Sequence, residues 1–353
     1  MTRLAVLSVA DPLSPAGGET CGAPGRILAL LDRALMERGH RSVVVAAEGS
    51  RVEGRLLATP RVSGSIDGAA QAAAQAWYRK TIREALAHES FDLVHMHGAD
   101  FHTYLPEDGS HVLVTLHRAS EFYAEQVFRL RRAGTWLHCV SRWQEVRCPA
   151  GAALLPFIES GIPVERFDAP VRRRNYALAL GRIHPGKGFH LAFDAARRAD
   201  TPLVLAGELA GRPHEEYFQR ELTPRIKGQA RFLGPVKAGR KRRLLAGARC
   251  LLAPCLEPEA SSLVAMEALA AGTPVIAFSR GAMAEIVDHG RTGFLVKDVE
   301  EMARAIRDVD SIDPQECRAV ARQRFSADRM TEQYLSRYDQ LAGSPATHAF
   351  SAA

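Results

Sequence analysis

The sequence predicts an α/β protein made of two doubly wound, parallel-sheet domains of the Rossmann type. Short β-branched runs alternate with helical stretches along the whole chain, which is the pattern of βαβ units. At 353 residues the chain is too long for one ordinary α/β core and about right for two. The alternation is interrupted near residues 156–174, where Pro163, Pro170 and several arginines occur. We therefore expect one domain on each side of this segment.

The elements of both domains follow from the hydrophobic pattern. In the first half, strands are predicted at residues 4–9, 42–46, 93–96, 112–115 and 137–140. An amphipathic helix is predicted at residues 26–38, with Gly39 as its C-cap. In the second half, strands are predicted at residues 176–180, 203–206, 230–233, 250–253, 275–278 and 293–296, and a helical stretch at roughly 314–341. The expected domains are residues 1–168 and 172–322.

The composition matches an average globular protein, with 46% hydrophobic and 24% charged residues. Because no apolar run reaches the roughly 18 residues that a membrane helix needs, we expect a cytoplasmic protein that contacts a membrane only peripherally, at its inner face, if at all. The six scattered cysteines include no C-x-x-C pair, which predicts reduced thiols rather than a zinc knuckle or a disulfide framework.

A net charge of +6 favours anionic ligands. Basic clusters at residues 129–132, 172–174 and 237–243 lack interleaved aromatic residues. We therefore expect solvated surface at these clusters, with phosphate or lipid headgroups as the alternative, and no nucleic-acid partner.

The segment richest in candidate functional residues is 256–296. Glu259 lies in a loop before a helix predicted at 263–271, and Glu267 lies about a turn and a half inside that helix. Ser261 and Ser262 are good N-cap residues. The free N–H groups and the dipole of a helix N-terminus favour a phosphate, and nearby carboxylates suit the hydroxyls of a nucleotide sugar. The alternative is that Glu267 only caps or salt-bridges its own helix.

A basic loop at residues 181–188, Gly-Arg-Ile-His-Pro-Gly-Lys-Gly, follows a predicted strand. Gly181 at the strand end lets the backbone approach a ligand closely, and Arg182 and Lys187 are spaced to clamp a diphosphate from two sides. The loop is not a P-loop, because the full G-x-x-x-x-G-K-[ST] motif is absent. The alternative is a basic loop in solvent.

The first half offers weaker candidates. Residues 12–25 form a predicted loop after the first strand, and its glycines are expected either to cover the diphosphate or to form a plain connection. These glycines are Gly17, Gly18, Gly22 and Gly25. His95 and His97 share a strand face, but no third ligand has supportive spacing, so no metal site is expected. His117 follows a strand and is expected either to reach the interdomain cleft or to be an ordinary core or surface histidine.

Taken together, these segments resemble the retaining family 4 glycosyltransferases. The matching segments include DLVHMHG from Asp92, LALGRIHPGKG from Leu178 and EPEASSLVAMEALAAGTPVIAF from Glu257. The match covers roughly residues 4–298 and is strongest from Tyr176 onward. It implies the GT-B fold, in which two Rossmann-like domains face each other across a cleft. It also implies that a C-terminal helix at 324–345 crosses back onto the N-terminal domain.

The resemblance implies roles for the candidate residues. Glu259 is similar to the glutamate that contacts the transferred sugar, and Glu267 to the one that binds the ribose hydroxyls. Arg182 and Lys187 are similar to the diphosphate clamp, and His117 to the histidine beside the reacting centre. Further donor-binding groups are implied at Gly181, Ser261, Ser262, Leu263 and Val264, and at Pro235 and Val236 beside the base.

The implied activity is transfer of a sugar from a nucleotide diphosphate, UDP or GDP, to an acceptor hydroxyl, without metal or other cofactor. The resemblance implies a front-face, retaining transfer that forms an α-glycosidic bond. It also implies a role in the synthesis of a bacterial-type surface glycan, a glycolipid or a secondary metabolite. The acceptor would be a sugar, a glycolipid or a small molecule.

Three segments depart from the family pattern. Ala260, Ser261 and Ser262 replace Pro-Phe-Gly, the stretch from Ser160 to Pro163 replaces Asn-Gly-Ile-Asp, and the stretch from Gly22 to Gly25 replaces Gly-Gly-Ala-Glu. Because of these departures, one alternative is a non-catalytic GT-B protein that binds a nucleotide sugar or a partner enzyme. A nucleotide-sugar epimerase of the same fold is a further alternative. The sequence does not name the sugar, the base or the acceptor.

Overall fold

The computed structural model describes residues 3–18, 21–62, 67–168, 174–209 and 211–343. The chain divides into two units, one made of Met1–Ser160 with Asp328–Ala353 and the other of Gly161–Ala327. We call them the N-terminal unit and the C-terminal unit. Each is described by itself below.

The N-terminal unit is built on a parallel sheet of seven strands. These are β1 (Ala5–Val9), β2 (Arg41–Ala47), β3 (Arg55–Thr59), β4 (Leu93–Met96), β5 (Val112–Leu116), β6 (Thr135–Cys139) and β7 (Leu154–Leu155). Their order is β3-β2-β1-β4-β5-β6-β7, so the winding direction reverses between β1 and β4. Strands β4 and β5 are buried along their whole length, as expected for a parallel sheet covered on both faces.

Four α-helices accompany this sheet in the described residues. They are α1 (Ala23–Glu37), α2 (Gly68–His88), α3 (Arg142–Glu145) and, from the end of the chain, Ala327–Ala342. Helix α2, β3 and β7 were not predicted from the sequence. Helix α2 is rich in alanine, and only the narrow stripe Ala74, Tyr78, Ile82 and Ala85 is buried, so its apolar face is weak in sequence.

The C-terminal unit has a parallel sheet of six strands. These are β8 (Ala177–Leu180), β9 (Leu203–Ala206), β10 (Ala230–Phe232), β11 (Cys250–Ala253), β12 (Val275–Phe278) and β13 (Gly293–Val296). The order β10-β9-β8-β11-β12-β13 reverses between β8 and β11. Its α-helices are α4 (Phe189–Arg198), α5 (Arg212–Tyr217), α6 (Ala238–Gly247), α7 (Leu263–Ala270), α8 (Met283–Ile286), α9 (Val299–Asp308) and α10 (Pro314–Arg324). The last helix of the chain, Ala327–Ala342, is α11.

The predicted fold class of two doubly wound parallel-sheet domains is confirmed. All eleven predicted strands are present, with ends shifted by at most two residues. The predicted helical stretch at 314–341 is two helices, α10 and α11, with a break at Phe325. Gly39 has φ +76°, a left-handed backbone that favours glycine after a helix.

Helix α11 belongs to the N-terminal unit through two buried tyrosines. The hydroxyl of Tyr338 lies 2.7 Å from Nδ1 of His95 on β4, and the hydroxyl of Tyr334 lies 3.2 Å from Oγ1 of Thr115 on β5. Both rings are fully buried. Because buried polar atoms are costly when unpaired, these contacts specify where the end of the chain docks on this sheet.

We expect Tyr338→Phe to lower the free energy of unfolding by about 1–3 kcal/mol, because Nδ1 of His95 would lose its partner in a buried place. Tyr334→Phe is the matched control. Thr115 keeps two histidine partners, at 2.7 and 2.8 Å, so the control should cost only about 1 kcal/mol. Urea unfolding of the full chain, followed by circular dichroism, measures both. Equal losses would contradict the importance given to the Tyr338 contact.

Candidate functional site

The main candidate site lies at the carboxyl edge of the C-terminal sheet. Strands β8 and β11 pair in parallel, with Ala177 opposite Cys250, so the loops that follow them lie side by side. The carbonyl of Gly186 accepts hydrogen bonds from the backbone N–H groups of Leu256 at 2.7 Å and Glu257 at 3.1 Å. The basic loop at residues 181–188 and the loop that carries Glu259 therefore form one surface. It lies at the edge of the sheet where open α/β sheets bind ligands.

Two glycines permit this close approach. A Cβ atom at Gly188 would lie 2.1 Å from the carbonyl oxygen of Pro254, and the residue has φ +64°. A Cβ at Gly186 would lie 2.3 Å from the carboxyl carbon of Glu257. At Gly188 a larger residue would have to displace the backbone of the neighbouring loop, whereas at Gly186 it would meet the flexible end of the Glu257 side chain.

Lys187 and Glu259 form an ion pair across the two loops. The ammonium group of Lys187 donates to Oε1 of Glu259, and the thiol of Cys255 lies 3.4 Å from Oε2. Burial acts to lower the pKa of Lys187, but the carboxylate of Glu259 reverses this and raises it. Burial raises the pKa of the Cys255 thiol to about 12, so this thiol is a donor to the carboxylate. Sequence analysis did not single out Cys255.

Arg182 is exposed beside this ion pair, and Gly181 precedes it with φ +152°. His184 accepts a hydrogen bond from the N–H of Gly186 at 3.0 Å, which shapes the loop between the two basic residues. Burial lowers the pKa of nearby His214, and the charge of Arg182 adds to that effect. The clamp of Arg182 and Lys187 on a diphosphate remains a prediction.

Helix α7 begins at Leu263, as expected, with Ser262 as its N-cap residue. The side chain of Ser262 makes no capping hydrogen bond, so the expected capping by its hydroxyl is wrong. The hydroxyl of Ser261 is buried and has no partner among the described residues. Leu263 is buried and Val264 half-buried at the helix start. Without a side-chain cap, the N–H groups of the first turn stay available to an anion.

Glu267 is 0% exposed and accepts a hydrogen bond at 2.7 Å from the ammonium group of Lys241, whose side chain is 9% exposed. This ion pair joins Glu267 to a different helix, since Lys241 lies on α6. The expectation of solvated surface at 237–243 is wrong at this residue. Helical spacing could have revealed it, because Lys241 and Leu245 lie on the same face of α6.

The predicted contacts to the base lie after β10. Pro235 is exposed and Val236 half-buried. Gly234 is tied to the end of β9, because its carbonyl accepts from the N–H of Gly207 at 2.9 Å. These residues thus lie at the same carboxyl edge of the sheet, while their contact with a base remains a prediction.

The basic cluster at residues 129–132 is solvated only in part. Arg129 is exposed and pairs with Glu125, as expected for a solvated surface. Arg132 is only 10% exposed in its side chain and donates to the carbonyl of Ser110, so it is not solvated. In the third cluster, residues 172 and 173 lie outside the described residues.

In the N-terminal unit, His117 follows β5 and is half-buried. Its Nε2 lies 3.0 Å from Nδ1 of His97. Burial lowers the pKa of His117 to about 3, so the ring is neutral near pH 7. His95 is bonded to Thr115 and Tyr338 instead. In the described part of the chain, no three His, Cys, Asp or Glu side chains are placed to hold a metal ion.

The N-terminal glycines take separate places. Gly17 has φ +129° and packs on the backbone of Arg51, whereas a side chain at Gly18 would meet nothing within 4 Å. Gly22 is the N-cap residue of α1, so Gly25 lies inside the helix and the predicted loop at 12–25 is too long by three residues. Pro24 explains the early start, because its fixed φ and missing N–H suit the first turn of a helix.

Two further sequence features can be placed. No disulfide joins the six cysteines, all of which lie among the described residues, and Sγ of Cys139 lies 3.6 Å from Sγ of Cys148. No helix in the described ranges is both long and apolar enough to cross a membrane.

One Asp-x-Asp sequence, a pattern that can bind a divalent ion, is present at Asp308-Val309-Asp310. It lies at the end of α9, where the carboxylate of Asp310 accepts from the guanidinium of Arg249 at 2.7 Å. Val309 is buried. One of its two carboxylates, that of Asp310, is therefore paired with a neighbouring arginine.

Comparison with known proteins gives a family match within the C-terminal unit. Residues 174–310 match the family model of glycosyl transferases group 1. The chain is 32% identical over 191 residues to a glycogen synthase of Mycobacterium tuberculosis, covering 50% of this chain and 45% of that protein. It is 29% identical over 221 residues to a phosphatidyl-myo-inositol mannosyltransferase of Mycolicibacterium smegmatis, covering 57% and 55%. The chain thus spans about half the length of the curated relatives it matches.

Solved structures match nearly the whole chain. AviGT4, a glycosyltransferase involved in avilamycin A biosynthesis, matches with a TM-score of 0.70 and 24% identity over 97% of this chain and 99% of that one. Sucrose-phosphate synthase from Thermosynechococcus elongatus gives 0.79 and 19% over 96% and 99%. Anabaena HepE, solved in complex with UDP and glucose, gives 0.72 and 19% over 96% and 100%. The GT-B fold predicted from the sequence is confirmed.

We expect Lys241→Met to destabilise the C-terminal unit by about 3–5 kcal/mol, because it removes the ammonium group that is paired with the buried carboxylate of Glu267. Adding Glu267→Gln should recover part of this loss, since it removes the charge. Lys237→Met, at an exposed position of the same basic run, is the control and should stay within about 0.5 kcal/mol of wild type. Thermal and urea unfolding measure the three. A Lys241 variant as stable as the Lys237 control would contradict the buried ion pair.

Proposed function

We propose that this chain, whose residues 174–310 form a glycosyl transferases group 1 domain, is a retaining glycosyltransferase. It transfers a sugar from a nucleotide diphosphate to an acceptor hydroxyl and forms an α-glycosidic bond. The observation that carries the proposal is the contact between Lys187 and Glu259, 72 residues apart, at the carboxyl edge of the sheet. It joins a cation suited to a diphosphate and a carboxylate suited to sugar hydroxyls in one place.

The donor would bind the C-terminal unit in parts. Lys187, exposed Arg182 and the uncapped N-terminus of α7 supply positive charge and N–H groups for the diphosphate. The Anabaena neighbour is a complex with UDP and glucose, which supports a UDP-sugar as the first donor to test, with GDP-sugars next. Ribose contact by Glu267 would require a rearrangement that exposes its carboxylate, because the side chain is fully buried here.

In the reaction, the acceptor oxygen bonds to the anomeric carbon on the face from which the diphosphate leaves. The bond from that carbon to the diphosphate oxygen breaks, and the acceptor proton passes to a departing phosphate oxygen. Lys187 and Arg182 stabilise the leaving group through charges already in place, and Glu259 faces the positive charge that develops on the sugar. The proposed reaction uses no metal ion and no cofactor.

The acceptor and setting are proposed from the relatives. One curated relative is a phosphatidyl-myo-inositol mannosyltransferase and one structural neighbour takes part in avilamycin A biosynthesis. They support a sugar, glycolipid or small-molecule hydroxyl as acceptor, in glycan, glycolipid or secondary-metabolite synthesis. The proposed location is the cytoplasm, with peripheral contact at the inner membrane face if the acceptor is a lipid.

A second candidate is a protein that binds a nucleotide sugar without transferring it. It is favoured by the engagement of both glutamates by lysines, Glu259 by Lys187 and Glu267 by Lys241. Turnover measurements separate this candidate from the transferase, because both bind donor and only one releases free nucleotide in the presence of acceptor.

We expect Lys187→Ala to reduce kcat by about 10²–10³ while raising KM for the donor much less, because negative charge on the diphosphate grows in the transition state. Arg182→Lys should also reduce kcat, since an ammonium cannot reproduce the two-pronged guanidinium. Lys227→Ala, at an exposed position of the same unit, is the control. Single-turnover transfer at saturating donor measures all three. Wild-type rates in both site variants would leave the diphosphate clamp without support.

We expect UDP- or GDP-sugar to bind with the same affinity in EDTA and in added magnesium, because the side chains of Arg182 and Lys187 supply the charge that neutralises the diphosphate. Isothermal titration calorimetry under both conditions is the measurement. Binding that disappears with the chelator and returns with the metal would overturn the metal-independent mechanism.

A further inference from the structure

Four buried or half-buried histidines meet near the carboxyl ends of β4, β5 and β6 in the N-terminal unit. They are His95, His97, His117 and His138, and the proposed function uses only His117. Thr115 lies directly opposite His138 in the pairing of β5 with β6. These rings form two hydrogen-bonded groups, and the positions of their protons can be worked out from their partners.

The first group starts at His138. Its Nδ1 lies 3.0 Å from the carbonyl oxygen of Cys139, which only accepts, so Nδ1 carries a proton. Burial lowers the pKa of His138 to about 3, so the ring is neutral and Nε2 is an acceptor. The hydroxyl of Thr115, 2.7 Å away, therefore donates to Nε2.

The same reasoning assigns the donors in the contacts from Thr115 through His95 to helix α11. Because Thr115 has used its proton, it accepts from Nε2 of His95 at 2.8 Å. Burial holds the pKa of His95 well below its usual value, so its Nδ1 is unprotonated and accepts from the hydroxyl of Tyr338 at 2.7 Å. Both nitrogens of His95 are thus satisfied. The ring of His95 contacts the ring of His97 at an interplanar angle of 46°, with centroids 4.0 Å apart, but it has no free polar atom to offer it.

The second group is His97 and His117, joined by a 3.0 Å contact between Nδ1 of His97 and Nε2 of His117. Both rings are neutral, because burial lowers both pKa values. One nitrogen of this contact must donate and the other accept. Nε2 of His97 is buried and has no partner among the described residues.

That unpartnered nitrogen decides the direction. If His117 donated, His97 would carry its proton on Nε2, which would be a buried N–H without an acceptor. If His97 donates from Nδ1, the buried atom left without a partner is an unprotonated Nε2, which is an acceptor. Buried N–H groups without partners are rarer than under-satisfied acceptors in native proteins, so the second arrangement is favoured. His117 then carries its proton on Nδ1, to which no described residue is hydrogen-bonded.

We propose that His97 is a positioning residue that holds His117 in the tautomer protonated on Nδ1, so that His117 offers an N–H donor, not a base, to an oxygen of the sugar substrates. The proposal rests on the proposed function for its substrate. It assigns His117 the stabilisation of a substrate oxygen. The acceptor proton then leaves with the departing phosphate, with no histidine base required.

The tautomer is measured on the folded full-length protein without substrate. Nitrogen-15 NMR of histidine-labelled protein, correlated through the ring carbon protons, distinguishes protonated from unprotonated ring nitrogens. The His117→Gln variant assigns the signals. The expected result is a proton on Nδ1 of His117 at pH 7. A proton on Nε2 of His117 would overturn the proposal.

Variants at His97 add an activity readout. His97→Ala removes the donor, so we expect a mixture of His117 tautomers and a kcat lower by about tenfold or more, with KM for the donor sugar within about twofold. His97→Asn can donate from its amide and should restore both the tautomer and most of the kcat. An alanine variant with wild-type tautomer and wild-type kcat would overturn the proposal. If no variant and no wild-type protein transfers sugar, the proposed function fails, while the NMR result still decides the role of His97.

Discussion

The parallel pairing of β8 with β11 is the constraint on which the candidate site depends. These strands are 73 residues apart in sequence at the paired residues Ala177 and Cys250, yet their pairing brings the loops after them together. The contacts of the site lie at that edge of the sheet. The carbonyl of Gly186 accepts hydrogen bonds from the backbone N–H groups of Leu256 and Glu257, and the ammonium group of Lys187 pairs with Glu259. A sheet that wound in one direction only would place other loops between these two, so the reversal of winding is part of the site.

Burial determines how the polar groups of both units are paired and protonated. Glu267 and Lys241 form an ion pair away from water, which is costly to break from one side only. Glu259 is held on both oxygens, by an ammonium group and by a thiol that burial keeps protonated. Glu259 is therefore oriented before any ligand arrives, whereas Glu267 would have to become exposed before it could meet a ribose. Orientation of Glu259 reduces the entropy lost on binding. Its contact with Lys187, however, competes with a ligand for the carboxylate.

In the N-terminal unit, burial acts on neutral groups instead. The histidines near the ends of β4 to β6 have lowered pKa values, so hydrogen-bond direction, not charge, organises them. The hydroxyls of Tyr334 and Tyr338 complete this network from helix α11, more than 200 residues away along the chain. The network through Thr115 therefore docks helix α11 on the sheet, while the separate contact with His97 orders the protons of His117.

The sequence by itself determined the fold class, because alternating β-branched runs and helical stretches report a parallel α/β architecture locally. It also supplied the candidate residues Arg182, Lys187, Glu259, Glu267 and His117 through loops and helix starts that can be recognised over short spans. It missed helix α2, whose apolar stripe is narrow, and the burial of Lys241. Only the tertiary structure decided that Glu267 pairs with α6, that Cys255 contacts Glu259 and that His97 bonds to His117. These partners lie on different elements, and strand pairing and helix packing, which no local pattern encodes, bring them within hydrogen-bond distance.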